Sequence, residues 1–221
     1  MEPKFWLERW QENQIGFHQS IVNPLLTDYW SSLRVAPGSH VLVPLCGKSQ
    51  DLSWLAEQGH AVTGIELSDI AVTDFFEQCG STPSQQPAGS GTHYSDEQVS
   101  IWCGDYFHYP TSTAQRADQV FDRAALIALP ADRRQAYADK LLTLITPTAQ
   151  ILLITLEYEQ SSMAGPPFAV LPEEVETLYG QHCDIKQLGH YPMDMKKEGE
   201  RFAQKGVTHM AERLWLLTRR G

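Results

Sequence analysis

The chain is short of positive charge, of paired cysteines and of long apolar runs, and each shortage closes a class of function. Seventeen Lys and Arg stand against 27 Asp and Glu over 221 residues, a formal net charge of −10. The basic side chains do not gather in one stretch, so a phosphate backbone would be repelled and no nucleic-acid partner is expected. Four cysteines, Cys46, Cys79, Cys103 and Cys183, lie far apart with no CxxC pair, which reads as buried free thiols in a reducing compartment. The eight histidines are equally scattered, without HExxH or a Cys/His ligand spacing, although His182 and Cys183 are adjacent; no metal site is expected. Apolar runs do not exceed about six residues, as over 151–156 with its one Thr, and fall far short of the roughly 20 residues that a membrane helix needs. Glu2, Lys4, Glu8 and Arg9 break up the first ten residues, and the expectation is a cytoplasmic protein with no membrane partner. With 15 Gly, 13 Pro and 42% apolar residues, the composition is neither low-complexity nor disordered.

What is present suits one domain, residues 1–221, with a helical segment over 1–35 and an α/β core over 36–221. Short apolar runs alternate with helical-period stretches. Residues 40–44 read as a strand, 51–58 as a helix with Leu52, Leu55 and Ala56 on one face, and 61–65 as a second strand. Residues 68–79 form a second helix, with Ser68 as N-cap and Ala71, Val72, Phe75 and Phe76 as its apolar side. This alternation predicts a parallel sheet. Residues 99–103, 119–122 and 151–156 add strands, the last unalternating and so buried on both faces, with a helix over 131–145 before it. Residues 183–188 and 207–218 can pair antiparallel at one edge. Residues 80–91, rich in Gly, Pro and Ser, read as a flexible connection. The first 35 or so residues hold Trp6, Trp10 and Trp30 at helical intervals; they either pack on the sheet through these aromatics or form a lid over a ligand.

The loop after the first strand, Val43-Pro44-Leu45-Cys46-Gly47-Lys48-Ser49, ends like a phosphate-binding P-loop. That motif needs a glycine where this chain has Leu42, so the phosphate cradle would be incomplete; a GxGxxG pattern is also missing. Glu66 ends the second strand about twenty residues on, where doubly wound folds hold ribose hydroxyls on a carboxylate.

Taken with Asp51-Leu52 and with Gly59-His60-Ala61-Val62-Thr63-Gly64-Ile65-Glu66-Leu67-Ser68, that loop closely resembles the thiopurine S-methyltransferase family, a branch of the class I S-adenosylmethionine-dependent methyltransferases. Trp6, Trp10 and Phe17-His18, Asp122-Arg123-Ala124-Ala125-Leu126, and residues 212–218 extend the resemblance over essentially the whole chain. The glycine-rich loop of other methyltransferases is replaced here by Pro44-Leu45-Cys46-Gly47, a departure which that family shares. The resemblance implies a doubly wound, mostly parallel, seven-stranded Rossmann-like α/β sheet with an N-terminal helical lid. It implies S-adenosyl-L-methionine as methyl donor, with S-adenosyl-L-homocysteine as product, and a small-molecule thiol as acceptor.

Residue by residue, the resemblance gives Glu66 the ribose hydroxyls, a role its acceptor-only carboxylate suits; otherwise Glu66 is a solvated strand end. Leu45 approaches the cofactor through its backbone. Trp10 covers the methionine end, where an aromatic face attracts a sulfonium, or is plain core. Gly104 and Asp105 match positions near the adenine, or form a simple turn. Arg123 contacts the cofactor region and faces the substrate, and Arg201 is a second arginine there; these two are the catalytic candidates. For Arg123 the plainer reading is a salt bridge to Asp122 or to a helix acid. Phe17 and His18 match residues of the lid over the acceptor, although His18 also suits a helix cap or the surface. The expectation is a monomeric enzyme that methylates aromatic or heterocyclic thiols such as thiopurines. Two alternatives stand: the same fold acting on selenium or tellurium species or another small nucleophile, and a non-catalytic S-adenosylmethionine-binding protein.

Overall fold

A computed structural model describes residues 2–111, 115–197 and 199–221, and at its centre the apolar runs pair into one sheet. The strands are β1 (His40–Pro44), β2 (Ala61–Glu66), β3 (Ser84–Ala88), β4 (Gly91–Ser95), β5 (Val99–Cys103), β6 (Ala117–Asp122), β7 (Ile145–Tyr158), β8 (Cys183–Pro192) and β9 (Met210–Arg219), in the spatial order β3-β4-β5-β2-β1-β6-β7-β9-β8. The five strands β5-β2-β1-β6-β7 run parallel, and β1, at their centre, is buried at every position, as a strand covered on both faces must be. Strand β9 pairs antiparallel with β7 and with β8, the edge pairing expected from residues 183–188 and 207–218.

The seven expected strands are therefore present as β5-β2-β1-β6-β7-β9-β8, and the sheet is extended to nine, among the described residues, by the β3–β4 hairpin. That hairpin occupies much of the stretch read as a flexible connection. Gln85, Gln86 and Pro87 carry little strand propensity, but Gly89-Ser90 makes the two-residue turn, with Gly89 at φ +65, which the turn favours. The Trp102 indole N–H donates to the Ala88 carbonyl at 2.9 Å, and its ring fills the space that side chains at Gly91 and Gly104 would need. One buried tryptophan on β5 thus holds a hairpin that local sequence does not announce.

Helices α3 (Gln50–Glu57), α4 (Asp69–Gln78) and α5 (Ala131–Leu144) make crossovers, α6 (Pro172–Tyr179) precedes β8, and α7 (Glu200–Ala203) is a single turn before β9. Ser49 and Ser68 cap α3 and α4 by accepting the amides of Asp51 and Ala71, and the expected apolar face of α4, Ala71, Val72, Phe75 and Phe76, is buried. The N-terminal segment is not one continuous helical stretch. It forms α1 (Pro3–Gln11) and α2 (Pro24–Tyr29), followed by a short 3-10 turn, with a non-helical strap over residues 12–23 between the two helices. Asn13 at φ +53 ends the first helix region, and Asn23 opens the second by accepting the Leu25 amide at 2.9 Å, ahead of Pro24.

Leu26, Trp30 and Leu33 pack with α3 and α4 on one face of the sheet, and Tyr137, Leu141, Val175 and Tyr179 of α5 and α6 pack on the other. Burying one such large side chain contributes roughly 1.5–3 kcal/mol. The second half of the N-terminal segment is therefore core, which is the packing reading of its aromatics. Cys46 and Cys183 are buried free thiols as expected, but Cys79, at the end of α4, is exposed and Cys103 partly so. No helix among the described residues is long and apolar enough to cross a membrane.

Asp122, the last residue of β6, is fully buried beside the phenols of Tyr106, Tyr137 and Tyr179. Burial pushes its carboxyl up to about 6 against the donated bonds of Tyr137 and Leu126. Because the folded state holds this proton more tightly than the unfolded chain, the group's contribution to stability is present below pH ~4 and is lost as pH rises towards ~6. The loss amounts to about 3 kcal/mol at most, from roughly two pKa units at 1.36 kcal/mol each. Urea unfolding of the wild type and Asp122→Asn at pH 4, 5, 6 and 7 should differ by this slope, and parallel curves would contradict the burial of an ionised Asp122.

Candidate functional site

The chain passes from β1 to β2 and on to β5 on one side of β1, then returns to lay β6 on the other. The loops after β1 and β6 therefore diverge at the carboxyl ends of the strands and open a crevice, where α/β sheets bind ligands. Both loops carry a non-glycine residue in the left-handed region, Leu45 at φ +49 and Ala124 at φ +60, a conformation that costs about 1–2 kcal/mol and survives only where neighbours enforce it. Leu45 turns the chain back so that the Cys46 amide donates to the Ile65 carbonyl at 3.0 Å. Gly47, at φ +55, follows.

Glu66 occupies the floor of this crevice. One carboxylate oxygen accepts the Gly47 amide at 2.8 Å and the other the Ser68 amide at 2.8 Å, while its main-chain carbonyl accepts the Gly104 amide at 2.7 Å. Burial raises its pKa, opposed by the backbone bonds from Ser68, Gly47 and Leu67. A carboxylate offers about four acceptor directions, so after these three backbone donors one is left for a hydroxyl of a ligand.

Above the loop lies the strap. A Cβ built on Gly47 would stand 3.2 Å from the Trp10 ring, so the buried indole of α1 rests directly on the loop backbone. The Lys48 ammonium lies 5.9 Å from the Trp10 ring centroid and bonds Asp74 of α4 at 2.7 Å. Phe17 meets Trp6 and Trp10 edge-on, with centroids 5.6 and 5.7 Å away. Two guanidiniums then grip consecutive carbonyls of the strap: Arg123 donates to Phe17 at 3.1 Å, and Arg201 donates to Gly16 while lying 4.5 Å from the Phe202 ring centroid. Burial lowers the Arg123 pKa, with Asp51 and Glu212 opposing and Arg201 adding to the shift. His18 is lowered chiefly by burial and then by Lys48 and Arg123, against Asp51 and Asp74.

Trp10, Phe17, His18, Leu45, Glu66, Gly104, Arg123 and Arg201 are thus gathered around one crevice. The Asp105 side chain accepts the Phe107 amide at 3.0 Å and caps a short 3-10 turn directly after Gly104. The alternative salt bridge from Arg123 to Asp122 does not form, since the Asp122 carboxylate is taken by Tyr137 and Leu126. The nearby helix acid is Asp51, which also accepts the Asn23 amide at 2.8 Å and the Ser49 hydroxyl at 2.7 Å and so ties strap to loop. Asp51 and Lys48 carried no separate role in the sequence, although both belong to the loop motif. Asp74 carried no signal, reading as an ordinary helix acid.

The thiopurine S-methyltransferase family model matches residues 1–220. The chain is 44% identical over 220 residues to the thiopurine S-methyltransferase of Nitrosospira multiformis, covering 100% of this chain and 99% of that one. It is 47% identical over 220 residues to the enzyme of the same name from Pseudomonas fluorescens, with 100% of both covered. Among solved structures, the 1,6-didemethyltoxoflavin-N1-methyltransferase of Burkholderia thailandensis, with 1,6-didemethyltoxoflavin and S-adenosylhomocysteine bound, superposes with a TM-score of 0.64 at 15% identity over 99% of this chain and 87% of that one, which shows a shared fold. The chain belongs to the thiopurine S-methyltransferase family, and its methyl donor is S-adenosylmethionine.

The contact between strap and loop can be isolated by substitution. Gly38, at φ +74, has nothing within 4 Å of an added Cβ, whereas Gly47 has Trp10. Gly38→Ala should lower stability by about 1 kcal/mol through backbone strain alone, and Gly47→Ala by about 1 kcal/mol more as the indole is displaced. Equal urea midpoints for the two variants would show that Trp10 does not rest on the loop.

Proposed function

We propose that this family member methylates the sulfur of small aromatic or heterocyclic thiols, thiopurines among them, as a cytoplasmic monomer whose 1–221 chain is one domain. The observation that carries the reading is the meeting of Arg123 and Arg201 at the strap, on the acceptor side of a crevice whose floor is the Glu66 carboxylate. Glu66 takes the ribose hydroxyls of the donor, Leu45 and Gly104 line its path with backbone, Asp105 assists near the adenine, and Trp10 covers the methionine end. When bound, the donor would supply a methyl group on a sulfonium for in-line transfer to a thiolate, the new carbon–sulfur bond forming as the old one breaks and S-adenosylhomocysteine leaves. Opposite charges are neutralised in that step, so a dry, closed crevice favours it over bulk water. Phe17 and His18 close over the acceptor. The two guanidiniums each have donors left after serving one strap carbonyl, and a nearby positive charge lowers the pKa of a thiol and holds it as the reactive thiolate.

Labelled S-adenosylmethionine offered with thiol, selenol and metalloid acceptors tests this directly. Transfer to heterocyclic thiols is expected; preference for selenium or tellurium species would support the alternative acceptor class, and donor binding without turnover on any acceptor would contradict catalysis. Glu66→Ala should weaken S-adenosylhomocysteine binding by about 2–4 kcal/mol, roughly 30- to 1,000-fold, by calorimetry on folded protein; an unchanged Kd removes Glu66 from the site. Arg123→Met and Arg201→Met should move the acid limb of kcat to higher pH by about one unit each, because loss of the charge raises the pKa of the bound thiol. The acceptor should titrate between about pH 7 and 9, as an ordinary thiol of about 8.5 does. Parallel pH profiles would show that the arginines are architectural.

A further inference from the structure

Arg123 reaches the strap from a turn that is shaped from behind, on the side facing α5. The Oδ2 of fully buried Asp122 accepts the Tyr137 hydroxyl at 2.7 Å, and its Oδ1 accepts the Leu126 amide at 3.2 Å. Between those anchors the chain runs through Arg123 and then Ala124 at φ +60, a backbone state an alanine keeps only when its surroundings dictate it. Tyr137 is itself immobilised. Its ring stacks on Tyr106 with centroids 4.7 Å apart and planes at 28°, and its main-chain carbonyl accepts the Tyr106 hydroxyl at 3.1 Å. A buried carboxylate is an expensive way to fill core, since apolar groups of the same volume do so without desolvating a charge. Its placement one residue before the guanidinium is therefore informative.

We propose that Asp122 and Tyr137 are positioning residues for methyl transfer: the Tyr137 hydroxyl, acting through the Asp122 carboxylate, locks the 122–126 turn and so aims Arg123 at the acceptor side of the crevice. The inference rests on the reading of Arg123 as an acceptor-facing cation. The Asp122 carboxylate bonds Tyr137 and Leu126, so the effect travels through the turn.

The test is a double-mutant cycle between Tyr137→Phe and Arg123→Met, measured as acceptor KM, kcat and S-adenosylhomocysteine affinity. Tyr137→Phe keeps the ring stacked on Tyr106 and removes only the hydroxyl, so the fold is retained. It should raise acceptor KM about five- to tenfold, with kcat and S-adenosylhomocysteine Kd within twofold. In the Arg123→Met background the same change should move acceptor KM by less than twofold, because there is no guanidinium left to aim. A merely structural hydroxyl would act equally in both backgrounds, and that additivity would overturn the proposal, as would an unchanged KM in Tyr137→Phe beside a raised KM in Arg123→Met. If Arg123→Met itself leaves acceptor KM unchanged, the reading of Arg123 fails and takes the positioning role with it.

Discussion

The carboxylate of Glu66 lies out of water, and its need for donors organises the ligand end of the sheet. A carboxyl group in such a place must be hydrogen-bonded, and its backbone donors come from different segments, the loop after β1 through Gly47 and the entry to α4 through Leu67 and Ser68. Its main-chain carbonyl accepts from a further segment, through the Gly104 amide. One residue thereby fixes the three loops at the ends of β1, β2 and β5 relative to one another. Gly47 is doubly constrained, by a positive φ and by the Trp10 ring above it, so the position of α1 follows from the position of the loop.

The strap is held by charge as well as by contact. Arg123, in the loop after β6, and Arg201, in α7, lie far apart in the chain and converge on neighbouring carbonyls of Phe17 and Gly16, while the buried Asp51 binds the Asn23 amide at the strap's other end. The N-terminal segment divides accordingly. Leu26, Trp30 and Leu33 belong to the core beneath, whereas Phe17 meets Trp6 and Trp10 edge-on at the crevice. The two halves differ in place: Leu26, Trp30 and Leu33 pack on the sheet, while Trp10 rests against Gly47 and the Gly16 and Phe17 carbonyls accept from Arg201 and Arg123.

What was legible in the sequence is what local pattern determines. The parallel strands, the Ser68 cap and the apolar face of α4 follow from periodicities of a few residues, and Glu66 from its place at a strand end. The β3–β4 hairpin was not legible, because Gln85, Gln86 and Pro87 give no strand signal and the stabilising partner, Trp102, comes later in the chain; only Gly89-Ser90 offered a turn cue. The helical reading of residues 1–35 missed the break at 12–23, which Asn13, Gly16 and Pro24 impose. Within the site, residue types pointed to the crevice but not to their bonds. Arg123 ignores its neighbour Asp122 because Tyr137, 15 residues on, already bonds that carboxylate, and the Asp105 side chain turns to its own helical cap. Such choices depend on tertiary proximity, which no local pattern carries.

The central claim is that residues 6–17 close over a bound donor while residues 26–33 are permanent core. Hydrogen exchange with and without saturating S-adenosylhomocysteine tests it most directly, since closure slows local opening and core amides are already protected. Peptides covering residues 6–17 and 45–47 should exchange markedly more slowly with ligand, and those covering 26–33 at the same rate. Equal exchange of residues 6–17 with and without ligand, under conditions where binding is verified, would contradict the account.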